Sequence, residues 1–354
     1  MSWEEAWNEV WKQAWNKSAR RRRVFSTPAS TPAAFKIAGA AGGSRRAVSA
    51  AVVAVVCAVM FATGGCAGST APGRPSAGPT ASAAPSASAH ATRSAPAAVA
   101  ALPAPLHIVL VVMENHSYGD IIGNPAAPFI NALARRGALF TRSYGVTHPS
   151  QPNYLALFSG SAHGVTDDSC PHVFHAPNLA SGLAASGRSF TGYAEGLPNV
   201  GSTVCASGAY ARKHVPWVNF ASVPASASQP FSRFPAADPA KLPTVSWVIP
   251  DLCHDMHDCG VSTGDAWLAS HLGGYAAWAM THRSLLIVTW DEDDGGTANH
   301  IATIFFGQFV RPGRCVQRIT HYNVLATIEH AYHLRRDGHA GAAAPITGIW
   351  AGRR

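Results

Sequence analysis

Three stretches of the 354-residue chain hold side chains that bind cations or move protons, and each directly follows an apolar run. Glu114, Asn115 and His116 follow Ile108–Met113. The acidic run Asp291-Glu292-Asp293-Asp294-Gly295 follows Leu285–Thr289 and Trp290. Pro250, Asp251, His254, Asp255, His257 and Asp258 follow Val245–Ile249. Neighbouring carboxylates repel one another, so such a run is unfavourable unless solvent or a cation relieves it. Glu114, Asn115, Asp291 and Glu292 offer the hard oxygen ligands that suit a divalent metal ion. Taken alone, Asp291–Asp294 reads equally well as a solvated acidic turn; the Glu114 cluster tips the reading toward a metal site.

A fourth stretch, Thr147-His148-Pro149-Ser150-Gln151-Pro152-Asn153-Tyr154, supplies a candidate nucleophile. Pro152 suits the first turn of a helix running through Leu155–Phe158. Ser150 then lies near that helix's N-terminus, where unpaired N–H groups and the dipole favour anions such as phosphate. Metal coordination can activate an otherwise weak serine hydroxyl. By itself, Ser150 also reads as an ordinary helix cap.

The elements that must hold these residues follow from the apolar pattern. Ile108–Met113 is a continuous β-branched run, as expected of a central strand covered on both faces. Phe190–Ala194, Val245–Ile249, Leu285–Thr289 and Ala302–Phe306 read as further strands. Helical patterns intervene at Pro128–Gly137, Tyr154–Phe158, Gly264–Met280 and Tyr322–Tyr332. Alternating strands and helices predict one α/β domain, a doubly wound and mostly parallel central sheet with helices on both faces. In such folds ligands bind beyond the carboxyl ends of the strands, where the polar clusters fall.

Composition narrows the function classes. The formal charge is +8, but residues 1–46 hold nine Lys/Arg against three Asp/Glu, and the remainder holds only eighteen against sixteen. The basicity belongs to a leader, so a nucleic-acid-binding surface is not supported. Trp3, Trp7, Trp11 and Trp15 recur at helical spacing, which suits either a marginal helix or an interfacial one beside Arg20–Arg23. Arg45 and Arg46, the apolar run Ala47–Ala62 and Thr63-Gly64-Gly65-Cys66 form a signal peptide with a lipobox-like end (residues 47–66), and a retained anchor helix is the alternative. Residues 67–102 are almost all Ala, Ser, Pro, Gly and Thr, a disordered tether. The folded catalytic domain is then residues 103–354. The expectation is an exported protein, extracellular or anchored at the cell surface through Cys66, with membrane contact through the leader or the lipid. In such a compartment Cys170 with Cys205 and Cys253 with Cys259 can form disulfides that leave Cys315 unpaired, although sequence does not fix the connectivity.

The segments VVMENHSY, THPSQPNYLALFSG, STVCASGAYARKHVPWVNF, DMHD, SLLIVTWDEDDG and THYNVLATIEHAY occur in order between about residues 106 and 350. Together they resemble successive motifs of the bacterial phosphoesterase family, which contains acid phosphatases and phospholipases C and lies within the alkaline-phosphatase superfamily. The resemblance implies a metal-dependent phosphomonoesterase, an acid phosphatase with phosphatidylinositol 3-phosphate among the candidate substrates. It makes Glu114, Asn115, Ser150, Asp291 and Glu292 ligands of one or two divalent ions, and Ser150 the nucleophile that passes through a phosphoseryl intermediate. His257 and His321 match positions that bind a second metal or the phosphate, and His148 looks like a further active-site imidazole, suited to a general acid. Asn153 follows the nucleophile as a substrate-side residue. Arg212, Lys213 and His214 are candidates to receive an anionic inositol headgroup, or form a solvated basic loop. Two other functions remain open: a phospholipase C-type phosphodiesterase, and a lipid-tethered metal-binding protein without catalysis.

Overall fold

The computed structural model describes residues 102–351, which all fall within one compact unit. The leader, the signal peptide with its lipobox-like Cys66 and most of the tether lie outside the described residues. No helix among the described residues is long and apolar enough to cross a membrane.

The frame is a nine-stranded sheet. Its strands are β1 (Ile108–Met113), β2 (Ala138–Tyr144), β3 (Phe190–Ala194), β6 (Ser228–Pro230), β7 (Val245–Ile249), β8 (Leu285–Trp290), β9 (His300–Gly307), β10 (Gly313–Cys315) and β11 (Ile319–Thr320). They run in the order β10-β2-β9-β8-β1-β7-β3-β6, with β11 continuing on β2. A separate hairpin pairs β4 (Ala206–Ser207) with β5 (Tyr210–Ala211). Every residue of β1, β7 and β8 is buried, the signature of central strands covered on both faces.

The helices are α1 (Tyr118–Ile121), α2 (Pro128–Arg136), α3 (Ser150–Ser159), α4 (Leu179–Ala185), α5 (Val261–His271), α6 (Gly273–Ala279) and α7 (His321–Ala331). Successive side chains of a strand face opposite ways, so β1 feeds two cores. Ile108, Leu110 and Val112 pack with Leu155 and Phe158 of α3, Leu183 of α4 and Leu325 of α7. Val109, Val111 and Met113 pack with Ile130 of α2, Leu268 of α5 and Tyr275 of α6. The result is the expected doubly wound α/β sandwich in three layers.

Two expected elements differ in detail. The run Ala302–Phe306 lies in β9, which is antiparallel to both β8 and β2. Residues 291–299 are too short for the crossover of a dozen or more residues that a parallel return requires. The single helix expected over Gly264–Met280 is two, α5 and α6, separated at Leu272 beside the poor helix formers Gly273 and Gly274. The strand β2 was not anticipated, because Thr141 and Arg142 interrupt its apolar run. The disulfides are Cys170–Cys205 and Cys253–Cys259, and Cys315 is free.

Glu329 on α7 is buried beneath the Asp337 turn, where its Oε1 accepts the Asp337 N–H at 3.0 Å. Burial, outweighing that hydrogen bond, pushes its carboxyl from an ordinary 4.5 to about 8. A carboxyl whose folded pKa is raised contributes stability below pH 4.5 that is lost as pH rises through about 8. The wild-type melting temperature should therefore fall across that window by several degrees more than that of Glu329→Gln. Parallel melting curves for the two proteins from pH 5 to about 9 would contradict this assignment.

Candidate active site

Every cluster singled out in the sequence lies at the carboxyl edge of the sheet. Glu114 directly follows β1, Asp291 and Glu292 directly follow β8, and the loop after β7 carries Asp255 and His257. The chain leaving β2 returns through Ser150, the first residue of α3. Parallel registry of β1 with β8, Met113 opposite Trp290, puts the two acidic strand ends side by side. The Asn115 N–H then reaches Asp291 Oδ1 at 3.2 Å, from a left-handed backbone with φ of 50°.

Ser150 stands at the centre. Its Oγ lies 3.1 Å from Glu114 Oε2 and 3.3 Å from Glu292 Oε1. Glu114 Oε1 also accepts the Tyr154 hydroxyl, one helical turn beyond Ser150 on the same face of α3. The remaining neighbour of Glu114 Oε1 is His214 Nε2 at 3.3 Å, and His214 Nδ1 lies 3.2 Å from Asp255 Oδ2. The imidazole stacks on the Tyr154 ring at 5.1 Å.

The four residues of the acidic run separate by task. Asp291 and Glu292 enter the site. Asp293 closes a turn, accepting the N–H groups of Gly295, Gly296 and His300. Asp294 accepts the Ser117 hydroxyl at the start of α1. Asn153 holds the loop before α3 in place. Its Oδ1 accepts the N–H groups of Val146 and Thr147, and its Nδ2 donates to Thr147 O and, at 3.3 Å, to Glu292 Oε2. His148 pairs through Nδ1 with Glu292 Oε2 at 2.9 Å and is partly open to solvent.

Other expected site residues lie further out. His321 Nε2 donates to the Asp291 carbonyl at 2.6 Å, which steadies the end of β8 from the start of α7. Burial lowers its pKa to about 4, so the ring is neutral. The guanidinium of Arg212 is buried and turned to Asn219 Oδ1 and to the carbonyls of Thr203 and His172. It braces loops and is not directed at Ser150 or its carboxylates. Lys213 pairs with Asp168 Oδ2 at 2.9 Å and reaches His257 Nε2 at 3.4 Å. Consecutive residues 212–214 thus point to three different surroundings. Tyr154 and Asp168 belong to the site but were not assigned to it from sequence, and Asp255 was read only as part of the polar cluster after Val245–Ile249. The four-residue spacing from Ser150 was the signal for Tyr154, whereas nothing local marks Asp168.

The electrostatics ask for a cation. Glu114, Asp255 and Asp291 are fully buried within reach of one another. Burial and the charges of Asp291 and Asp255 hold the Glu114 carboxyl well above its ordinary range. Burial and then Glu292 do the same to Asp291, and burial carries Asp255 to about 8. Burial, reinforced by Lys213 and His257, keeps His214 neutral. A neutral imidazole donates one N–H only, yet His214 has a carboxylate oxygen at each nitrogen. Asp291 Oδ2, Asp255 Oδ2, His214 Nε2 and His321 Nδ1 are buried without hydrogen-bond partners among the described residues. Unsatisfied acceptors on this scale are uncommon in native interiors and point to an absent cation. Glu114, His214 and His257 bring ligand atoms within 4.8 Å of one another, and the carboxylate oxygens of Glu114, Asp291 and Glu292 are hard donors that suit a divalent metal.

The Phosphoesterase family pattern matches residues 124–335. A phosphatidylinositol-3-phosphatase of Mycobacterium tuberculosis is 55% identical over 255 residues, covering 72% of this chain and 85% of its own. An acid phosphatase of Aspergillus fumigatus is 26% identical over 265 residues, covering 69% of this chain and 58% of its own. Among solved structures, a protein in the alkaline phosphatase superfamily from Vibrio parahaemolyticus aligns with a TM-score of 0.49 at 11% identity, over 68% of this chain and 70% of that one.

Removing the Tyr154 hydroxyl leaves Glu114 Oε1 without that donor. Tyr154→Phe should therefore weaken divalent-cation affinity by about tenfold or more, the usual cost of losing an outer hydrogen bond to a ligand. Calorimetric titration with Mn²⁺ or Ca²⁺ checks this; an unchanged affinity would mean that Glu114 is oriented by something else.

Proposed function

The chain belongs to the phosphoesterase family, and on that premise we propose that it is a metal-dependent phosphomonoesterase whose nucleophile is Ser150. As a member of the family, with relatives named phosphatidylinositol-3-phosphatase and acid phosphatase, it is a phosphoric ester hydrolase. The observation that carries the finer reading is the convergence of Glu114 and Glu292 on the Ser150 hydroxyl, beside Asp291, at the N-terminus of α3.

In this reading Glu114, Asn115, Asp291 and Glu292 hold the cation together with Ser150. A bound divalent ion supplies a lowered serine pKa and a polarised phosphoryl oxygen. The Ser150 hydroxyl lies within hydrogen-bond reach of Glu114 Oε2 and Glu292 Oε1, and one of these carboxylates takes its proton as Oγ attacks phosphorus. The new bond is Ser150 Oγ–P and the bond that breaks is P–O to the leaving alcohol, which leaves a phosphoseryl enzyme for water to cleave. His148 sits at the solvent side with one nitrogen bonded to Glu292, a position suited to protonating the departing alkoxide. His321 holds the end of β8 and so acts by positioning, and His214 lies between Glu114 and Asp255. The identity with the mycobacterial enzyme supports a phosphoinositide carrying a 3-phosphate as substrate. We also propose export through the signal peptide of residues 47–66, with Cys66 as a lipid-anchor site; two disulfides suit an oxidising compartment.

The test measures phosphate release from p-nitrophenyl phosphate and phosphatidylinositol 3-phosphate, with phosphatidylcholine in parallel. Ser150→Ala should lose roughly a thousandfold or more in kcat, as expected for removal of a nucleophile. Acid quenching of the wild type during turnover should yield a phosphorylated peptide that contains Ser150. A Ser150→Ala protein with most of its activity would remove the nucleophile assignment. Diacylglycerol from phosphatidylcholine with little monoester turnover would replace the phosphatase by a phospholipase C.

A further inference from the structure

Asp168 lies outside every cluster read from the sequence, yet it joins two parts of the site. Its Oδ1 accepts the N–H of Gln151, the residue after Ser150, at 2.9 Å, and its Oδ2 binds Lys213 Nζ at 2.9 Å. One carboxylate therefore sets the distance between the nucleophile's backbone and an ammonium group. The supports on both sides are firm. Asp168 stands two residues before Cys170, which is bonded to Cys205, and the Arg212 N–H bonds Cys205 O at 3.0 Å. Lys213 is flanked by Arg212, whose guanidinium is anchored in the loops, and by His214, wedged between Glu114 and Asp255.

An ammonium has three N–H donors. Asp168 takes one and His257 Nε2, at 3.4 Å, takes another. On its other side the His257 ring meets Asp258, with Nδ1 at 2.7 Å from Asp258 Oδ1. The third donor has no partner among the described residues, which leaves it for a ligand. The Lys213 charge also acts on Glu114 and Asp291, the residues around Ser150. Around the reacting centre it is set against carboxylates that would otherwise repel an anion, and most strongly a doubly charged one.

We propose that Lys213, registered to Ser150 through Asp168, sets the preference for phosphomonoesters over phosphodiesters by receiving the second negative charge of a terminal phosphoryl group. This rests on the phosphatase reading above. A monoester near neutral pH carries two charges on its non-bridging oxygens, and a diester carries one. Substrate binding and attack by Ser150 are common to both. A fixed, charge-assisted donor on the extra charge is the difference. Asp168 is the positioning residue, because it bonds both the helix of Ser150 and the ammonium.

The experiment compares kcat/KM for p-nitrophenyl phosphate and bis(p-nitrophenyl) phosphate in the wild type, Lys213→Met, Lys213→Arg and Asp168→Asn. Inhibition by methyl phosphate and by dimethyl phosphate is measured alongside, so that slow diester turnover does not hide the effect. Lys213→Met should lower the monoester-to-diester ratio, in turnover or in inhibition, by about tenfold or more, the scale of one lost charge-assisted hydrogen bond. Lys213→Arg should keep most of the ratio, and Asp168→Asn should move it in the same direction as Lys213→Met. General damage to the site would lower both substrates in proportion. A ratio unmoved in Lys213→Met, with the wild type active, would overturn this inference alone. A wild type inactive on both substrates would overturn the phosphatase reading and this inference with it.

Discussion

Mutual repulsion among Glu114, Asp255, Asp291 and Glu292 is the constraint around which the rest of the site is arranged. Buried carboxylates resist ionisation, and burial is the first cause that raises the pKa of each, with the charges of Asp291 and Asp255 adding to it at Glu114 and that of Glu292 at Asp291. Local hydrogen bonds offset part of the cost, through Tyr154 on Glu114, the Asn115 N–H on Asp291 and His148 on Glu292. They leave buried oxygens of Asp255 and Asp291 without partners. A fold that collects such groups at one place is stable when a cation completes them, and the same cation is what a serine hydroxyl needs to become a nucleophile.

Rigid elements enforce this crowding. β1 and β8 are central, fully buried and in register, so their ends cannot drift apart without opening both cores. Beyond the strand ends, precision comes from braces of loop on loop. Asn153 and Asn299 lock the approach to Ser150, Asp293 closes the acidic turn, and the disulfides hold the segments that carry Asp168 and His257. Polar residues that a sequence pattern assigns to chemistry are in several cases these braces.

What was legible in the sequence follows the same division. Central strands gave themselves away as continuous apolar runs, and Phe190–Ala194 and Val245–Ile249 match the structure to the residue. The residues directly after them, Glu114, Asn115, Asp291 and Glu292, were recognisable because strand ends in doubly wound sheets are where ligands bind. The partners that 212–214 take within the fold were not recognisable. Three adjacent polar residues in a short turn take partners from segments far away in the chain, and no local periodicity encodes which partner each finds. The reversed direction of β9 could have been read from the nine residues before it, whose shortness forbids a parallel crossover.

Whether a divalent cation completes the carboxylate cluster is measured most directly by the metal content and melting temperature of chelator-stripped protein before and after reloading with a divalent ion. Stoichiometric uptake is expected, abolished in Asp291→Asn, with a rise in melting temperature on reloading; ligation of the folded state alone is worth about 4 kcal/mol at a thousandfold excess over Kd. Stripped protein that takes up no ion, melts at the same temperature and hydrolyses phosphomonoesters at the full rate would contradict completion by a cation.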